Sequence, residues 1–173
     1  GAMIPRLTLT VRPSPIGPLA LAFDPDRRLR GVSFGEGLDR TMRREYPGAA
    51  QEPGDGPQEA LALIDAYFEG EAAALGRVAW SLDGAVGGDG FAGRVWRLLA
   101  EVPPGATLSY GETARRAGEP GAAQAAGVAL NRNPIPLVLP CHRVVGADGA
   151  MVGFGGGLER KTWLLRHEGA LLL

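Results

Sequence analysis

The sequence predicts an α+β protein in two parts: a small α/β domain with an antiparallel sheet over residues 1–84, and a mostly helical domain over residues 85–173. Three observations predict it. Short stretches of alternating apolar and polar residues, joined by Pro/Gly turns, fill the chain from Leu7 to Phe34. From Phe91 onward the apolar residues recur at helical spacing, and two helical stretches there flank a tight glycine turn. Between the two regions, Gly84 to Gly90 is small, flexible and polar, the composition of a boundary.

The elements follow in order. Leu7, Leu9 and Val11 alternate with Thr8, Thr10 and Arg12 as in a half-buried strand. Pro13-Ser14-Pro15-Ile16-Gly17-Pro18 turns the chain, Leu19, Leu21 and Phe23 alternate again, and Asp24-Pro25-Asp26 turns it into a third strand from Leu29 to Phe34. A short helix is expected over Asp39 to Tyr46, then a loop from Pro47 to Pro57. Pro57 opens a further helix, whose Leu61, Ile64, Tyr67 and Phe68 share one face. Tyr67-Phe68 could stack on bases, but helix-on-sheet core is the usual fate of such a stripe. Val78, Trp80 and Leu82 suggest another short strand.

In the second part, Asp89 is placed to cap a helix carrying Phe91, Val95, Trp96, Leu98 and Leu99, and Pro103-Pro104-Gly105 ends it. Ser109 and Glu112 fit a capping box for a helix reaching about Ala117, with Gly118 as its stop. Pro120 starts the next helix, from Gly121 to Leu130, which is poor in bulk. Small residues there permit either close packing inside the protein or close approach to a nucleic-acid groove, and the residues alone favour packing. Asn131-Arg132-Asn133-Pro134 ends that helix, and Ile135 to Leu139 is a strand-like run into Pro140-Cys141-His142-Arg143-Val144. Asp148-Gly149 turns, and Leu158 to His167 is a last helix with Trp163 and Leu164 as core anchors, stopped by Gly169.

Composition bounds the function. Of 173 residues, 45% are apolar and 21% charged, with a net charge of −1, which is ordinary for a globular chain and no signature of a polyanion binder. Residues 1–85 hold 9 Arg against 12 acidic residues, a charge of −3, and residues 86–173 hold 9 basic against 7 acidic, a charge of +2. No apolar run is long enough to span a bilayer. Gly1-Ala2 before Met3 looks like a tag-cleavage scar, and no signal-peptide pattern follows. Cys141 is the only cysteine, so an internal disulfide and a thiolate metal cage are both excluded and the expected compartment is the reducing cytoplasm. No structural zinc, cofactor or membrane partner is expected, and the expected state is a monomer. A lone cysteine beside His142 and Arg143 is either a small buried hydrophobe or a nucleophile whose thiolate the neighbouring cations stabilise. Gly153-Phe154-Gly155-Gly156-Gly157 lacks the Lys-Ser/Thr of a phosphate loop and better suits a wall around a flat ligand.

Asn133-Pro134-Ile135-Pro136, then Leu137 through Gly146 with its Pro-Cys-His-Arg-Val core, then Gly153 to Leu158, resemble the active-site region of the O6-alkylguanine-DNA alkyltransferases. Ser14-Pro15-Ile16-Gly17-Pro18-Leu19 resembles that family's first hairpin. The resemblance implies the fold described above, with the small-residue helix pressed into the minor groove of duplex DNA. It implies that a guanine alkylated on O6 (with O4-alkylthymine a further candidate) is flipped into a pocket, and that Cys141 accepts the alkyl group irreversibly, without cofactor or turnover. It implies His142 as the base acting through a water, Glu168 as its orienting acid, Tyr110 as a donor to the departing guanine, and Asn133 as the tie between helix-turn-helix and cysteine loop. Arg143 is implied to be structural. Gln124, Ala123, Ala125, Gly127 and Arg132 are the expected DNA contacts, and Leu130, Pro136, Val144, Phe154, Gly155 and Gly156 the expected pocket lining.

Two positions depart from the pattern. Gln124 stands where the family commonly has an arginine that fills the space of the flipped base, and glutamine carries no charge. Phe154 stands where some relatives have tyrosine. Gln124 keeps open a second function, a module that recognises alkylated DNA without repairing it, although such relatives lack the cysteine. A third reading is an alkyl acceptor for something other than duplex DNA.

Overall fold

The computed structural model describes residues 3–149 and 153–171; Gly1 and Ala2 of the expected scar lie outside them. The chain divides into two compact units, Gly1–Gly88 with Pro134–Pro136, and Asp89–Asn133 with Leu137–Leu173.

In the first unit the alternating stretches become β1 (Arg6–Arg12), β2 (Leu19–Phe23) and β3 (Leu29–Phe34), followed by α1 (Leu38–Glu45), β4 (Ala50–Pro53) and α2 (Gln58–Phe68). The first three strands form the expected antiparallel meander, with Thr10 opposite Leu21 and Leu21 opposite Val32. The sheet is nevertheless mixed. Its order is β3-β2-β1-β4, and β4 runs parallel to β1 with Leu7 opposite Gln51. The sequence expectation of a loop at this place is thus corrected. Ala-Gln-Glu-Pro carries no alternation because it is a largely exposed edge strand, where proline costs no ladder bond that matters.

Leu7 and Ala22 from the sheet meet Leu38 and Met42 from α1 and Tyr46 at its C-terminal cap in one core cluster. A Cβ at Gly31 would collide with the ends of Met42 and Leu38, so this glycine sets how closely α1 lies on β3. Arg12 ties β1 to α2 through Asp65, with Nε donating at 3.0 Å. Tyr67 is fully buried and meets Phe68 edge to face at 5.0 Å, the core role rather than the base-stacking one. A buried polar knot centres on Arg30, which donates to Asp24 at 2.7 Å, to the Tyr46 hydroxyl and to the Asp83 carbonyl. Trp80 makes only an isolated bridge to Leu29 in place of the expected strand.

The second unit contains α3 (Phe91–Leu99), β5 (Leu108–Ser109), α4 (Tyr110–Arg116), α5 (Ala123–Asn131), β6 (Val144–Val145) and α6 (Leu158–His167). The cap of α3 is Gly90, without the side-chain bond expected from Asp89. Ser109 caps α4 as predicted, its Oγ accepting from Glu112 N at 3.0 Å. The Glu112 carboxylate does not close the capping box; it accepts from Arg115 and Arg116 instead. Gly118 and Gly121 take the positive φ that the turn requires, at 91° and 85°, so α5 starts at Ala123 rather than at Pro120. The small residues of α5 admit Trp96, whose Nε1 donates to the Ala129 carbonyl at 2.7 Å.

Ile135 to Leu139 is not a strand. It is a tight chain of turns, and Leu137, 1% exposed, sits at φ 77°. A left-handed leucine costs about 1–2 kcal/mol, which the surrounding packing must offset. In α6, Leu164 and Leu165 are fully buried, whereas the expected anchor Trp163 stacks on His167 with ring centroids 4.6 Å apart. Among the described residues no helix is long and apolar enough to cross a membrane.

Candidate active site

The site is assembled by a very short sheet. β5 and β6 pair in parallel, Leu108 with Val144 and Ser109 with Val145. Tyr110 directly follows β5 and Cys141 lies just before β6, so this pairing sets the start of α4 beside the cysteine turn. Cys141–Arg143 is a single 3-10 turn after Pro140. Asn133, beyond the end of α5, donates through Nδ2 to the Leu139 carbonyl at 2.8 Å, and the same carbonyl accepts from Cys141 N at 2.8 Å. Asn133 also hydrogen bonds to the Cys141 side chain. It therefore ties the helix-turn-helix to the cysteine loop.

The two residues after Cys141 belong to a buried charge cluster. His142 Nε2 is 2.8 Å from Glu168 Oε2, and neither side chain has any exposed surface. Arg143 holds the same carboxylate at two points, Nε to Oε1 at 2.8 Å and Nη2 to Oε2 at 3.0 Å, and its Nη1 donates to the Val102 carbonyl at 2.6 Å. Burial acts to raise Glu168, but the hydrogen bonds from His142 and Arg143 prevail and hold it at about 2. Glu168 is thus a carboxylate and accepts only, so His142 donates through Nε2–H and its lone pair is on Nδ1. That nitrogen is buried and has no hydrogen-bond partner among the described residues. Burial holds His142 below its ordinary value, against the opposing pull of Glu168.

The thiol is not pre-ionised. Burial pushes Cys141 up to about 11, while Asn133 and the Lys161 charge work in the other direction. This corrects the expectation that His142 and Arg143 stabilise a thiolate: His142 is neutral, and the Arg143 charge is engaged by Glu168. The cation that serves Cys141 is Lys161, missed by sequence reasoning. It is fully buried, donates to the Val144 carbonyl at 2.6 Å, and is held below its ordinary value by burial. The signal was present. Lys161, Leu164, Leu165 and Glu168 follow the i, i+3, i+4, i+7 stripe of a buried helix face, but a lysine there is taken for surface.

Tyr110 is half-buried and its hydroxyl donates to the Gly153 carbonyl at 3.3 Å; burial and then the Cys141 charge raise it above its ordinary value. Phe154 presents its ring edge-on to His142 at 6.5 Å between centroids. A Cβ at Gly153 or Gly155 would meet nothing within 4 Å, so neither glycine is demanded by packing. Leu130 and Val144 are buried and Gly156 is half-buried. Pro136 is the one predicted pocket residue that belongs to the first unit.

On α5, Gln124 and Ala125 are exposed, as is Arg132 just beyond it, while Ala123 is half-buried. Gly127 does not share that open face: a Cβ there would point at the Tyr110 ring, 3.6 Å away. Val128, 59% exposed, occupies the face instead. A groove of about 630 Å³ runs along α6, lined by Leu158, Thr162, Trp163 and His167 among others, and Cys141 is not part of its lining.

A helix-turn-helix with a buried His-Glu-Arg cluster beside a lone cysteine points to the class of nucleic-acid-directed proteins. The chain belongs to the methylated-DNA–protein-cysteine methyltransferases. It matches the family described as 6-O-methylguanine DNA methyltransferase, DNA binding domain, over residues 90–170. It is 38% identical to a methylated-DNA–protein-cysteine methyltransferase of Salmonella typhimurium over 165 residues, covering 92% of this chain and 94% of that one. It is 45% identical to one of Mycobacterium leprae over 155 residues, covering 90% and 88%. Among solved structures, an O6-methylguanine methyltransferase of Mycobacterium tuberculosis superposes with a TM-score of 0.73 at 37% identity, covering 94% of this chain and 92% of that one. The same organism's protein in complex with DNA also gives 0.73, at 38% identity, covering 93% and 92%.

Proposed function

We propose that this protein repairs DNA by direct reversal, moving the alkyl group from O6-alkylguanine in a duplex onto Cys141, once per molecule. The observation that carries the reading is the buried His142–Glu168 pair on the residue next to Cys141, which leaves Nδ1 as the lone pair of the imidazole able to receive a proton. A thiol at about 11 does not ionise unaided at neutral pH, so the base is required rather than incidental.

The steps balance as follows. The thiol proton passes to His142 Nδ1, through a water in the arrangement that the family resemblance implies, and Glu168 stabilises the imidazolium. The sulfur attacks the alkyl carbon, the C–O6 bond breaks, and its electron pair goes to the guanine. The Tyr110 hydroxyl leaves the Gly153 carbonyl to donate to the charged purine, and the proton held by His142 finally neutralises it. A thioether remains on Cys141. The stable C–S bond leaves no route back, which is why no turnover follows.

Base entry requires the Gly153–Gly157 loop to yield. A Cβ at Gly153, Gly155 or Gly157 would meet nothing within 4 Å, and the Tyr110 bond to Gly153 is a tie that substrate binding can replace. The exposed side of α5, with Gln124, Ala125 and Arg132, is the proposed duplex contact. The scheme takes the protein as a monomer.

The test follows the DNA. Duplex with a single O6-methylguanine is mixed with one equivalent of protein, digested to nucleosides and analysed. The expected result is loss of O6-methylguanine and equal gain of guanine with wild type, and no change with Cys141→Ala. Tight binding with the lesion intact in both overturns repair in favour of a recognition module.

A further inference from the structure

We propose that Arg143 is a positioning residue for the transfer, clamping Glu168 so that His142 stays neutral with its hydrogen on Nε2 and its lone pair on Nδ1. The proposal rests on the alkyl-transfer reading of the same site.

The geometry assigns this role. All three guanidinium nitrogens are committed, two to the Glu168 oxygens and one to the Val102 carbonyl, so the group cannot rotate away. Glu168 Oε2 is shared between Arg143 Nη2 at 3.0 Å and His142 Nε2 at 2.8 Å. The charged groups acting on His142 are Glu168 at the end of α6, Lys161 from within α6 and Arg143 on its own turn, and the Phe154 ring lies T-shaped to it at 6.5 Å between centroids. Arg143 and Lys161 oppose a positive charge on the imidazole, and Glu168 favours it.

Without Arg143, the sealed Glu168 carboxylate would lose its two-point countercharge while keeping an imidazole nitrogen 2.8 Å away. A buried carboxylate stripped of its countercharge recruits another, and the nearest source is a proton on His142. An imidazolium in the resting protein has no lone pair and cannot take the thiol proton. A two-point ion pair with Arg143 satisfies the carboxylate already, and leaves only the orienting contact for His142. Lysine keeps the charge but not the fork, so it separates the electrostatic role from the geometric one.

The chain has two histidines, His142 and His167, so histidine labelled with nitrogen-15 gives two assignable imidazoles. In wild type, His142 should carry hydrogen on Nε2 alone at pH 7. In Arg143→Gln, the doubly protonated form should appear at a higher pH than in wild type. The acid limb of the single-turnover transfer rate should then move up by about one pH unit, as expected for loss of a countercharge at contact distance. Arg143→Lys should keep the wild-type limb even if its rate falls. The proposal is overturned if wild-type His142 is doubly protonated at pH 7, or if Arg143→Gln loses stability with its limb unmoved. Should Arg143→Gln not fold, the wild-type spectrum and the Arg143→Lys profile decide. A wild type that transfers nothing sinks the alkyl-transfer reading, and the tautomer measurement still judges the clamp.

Discussion

His142 Nε2 and Glu168 Oε2 are 2.8 Å apart across 26 residues of sequence, and both side chains are sealed from solvent. This contact fixes which imidazole nitrogen is basic, and so links the last helix to the chemistry at Cys141. Glu168→Gln retains the shape and removes the charge. The single-turnover transfer rate at neutral pH should fall by about a hundredfold or more, the usual worth of a well-placed acid–base group. A rate within threefold of wild type by quenched-flow assay would remove Glu168 from the mechanism.

The same cluster sets how stability depends on pH. Glu168 titrates at about 2 in the folded protein against an ordinary 4.5, so its contribution is complete above 4.5 and is lost as pH falls toward 2. His142 is depressed below 6.5 and adds to the loss below that value. Cys141 is raised from 9.0 to about 11, so its contribution is complete below 9.0 and is lost as pH climbs to 11. Denaturation midpoints should be highest between about pH 6.5 and 9, and Glu168→Gln should flatten the fall between 4.5 and 2. An unchanged acid slope in that variant contradicts the assigned titration.

Lys161 is expected to assist ionisation of the thiol. Lys161→Met removes a buried cation that lowers the Cys141 pKa and frees the Val144 carbonyl. Alkylation of Cys141 by iodoacetamide at pH 8.5 should slow by about tenfold. Faster alkylation at unchanged fold, judged by circular dichroism, would show that the lysine only packs.

Gln124 is exposed on α5 and fits the role of occupying the space of an extruded base, without the charge of guanidinium. Gln124→Arg should raise the transfer rate on duplex substrate several-fold more than on the free base O6-benzylguanine. Equal effects on the two substrates, measured side by side, would take Gln124 out of base flipping.

Much of this fold was legible in the sequence because burial was asymmetric. β1 and α6 each have a more buried and a more open face, and periodicity reports that directly, while β2 and β3 kept enough apolar alternation to be read although they are mostly buried. β4 was not legible, since an exposed edge strand needs no apolar alternation. Ile135 to Leu139 misled for the opposite reason: every residue is buried, so the run has no period, and a left-handed Leu137 cannot be foreseen from a leucine. Within the site, the His142–Glu168 contact and the Asn133 tie to the cysteine loop were foreseen through a motif, not through spacing. Lys161 was hidden because its burial depends on the Val144 carbonyl brought over by β6, and Arg143 was undervalued because its carboxylate partner lies 25 residues away.

The central claim is that carbon moves from the lesion to one named sulfur. The direct measurement is the mass of the proteolytic peptide containing Cys141 after the protein meets duplex DNA carrying O6-methylguanine. The account predicts a peptide heavier by one CH2 group in proportion to the lesion supplied, saturating at one per chain. A peptide of unchanged mass under conditions where the protein binds that duplex would contradict it.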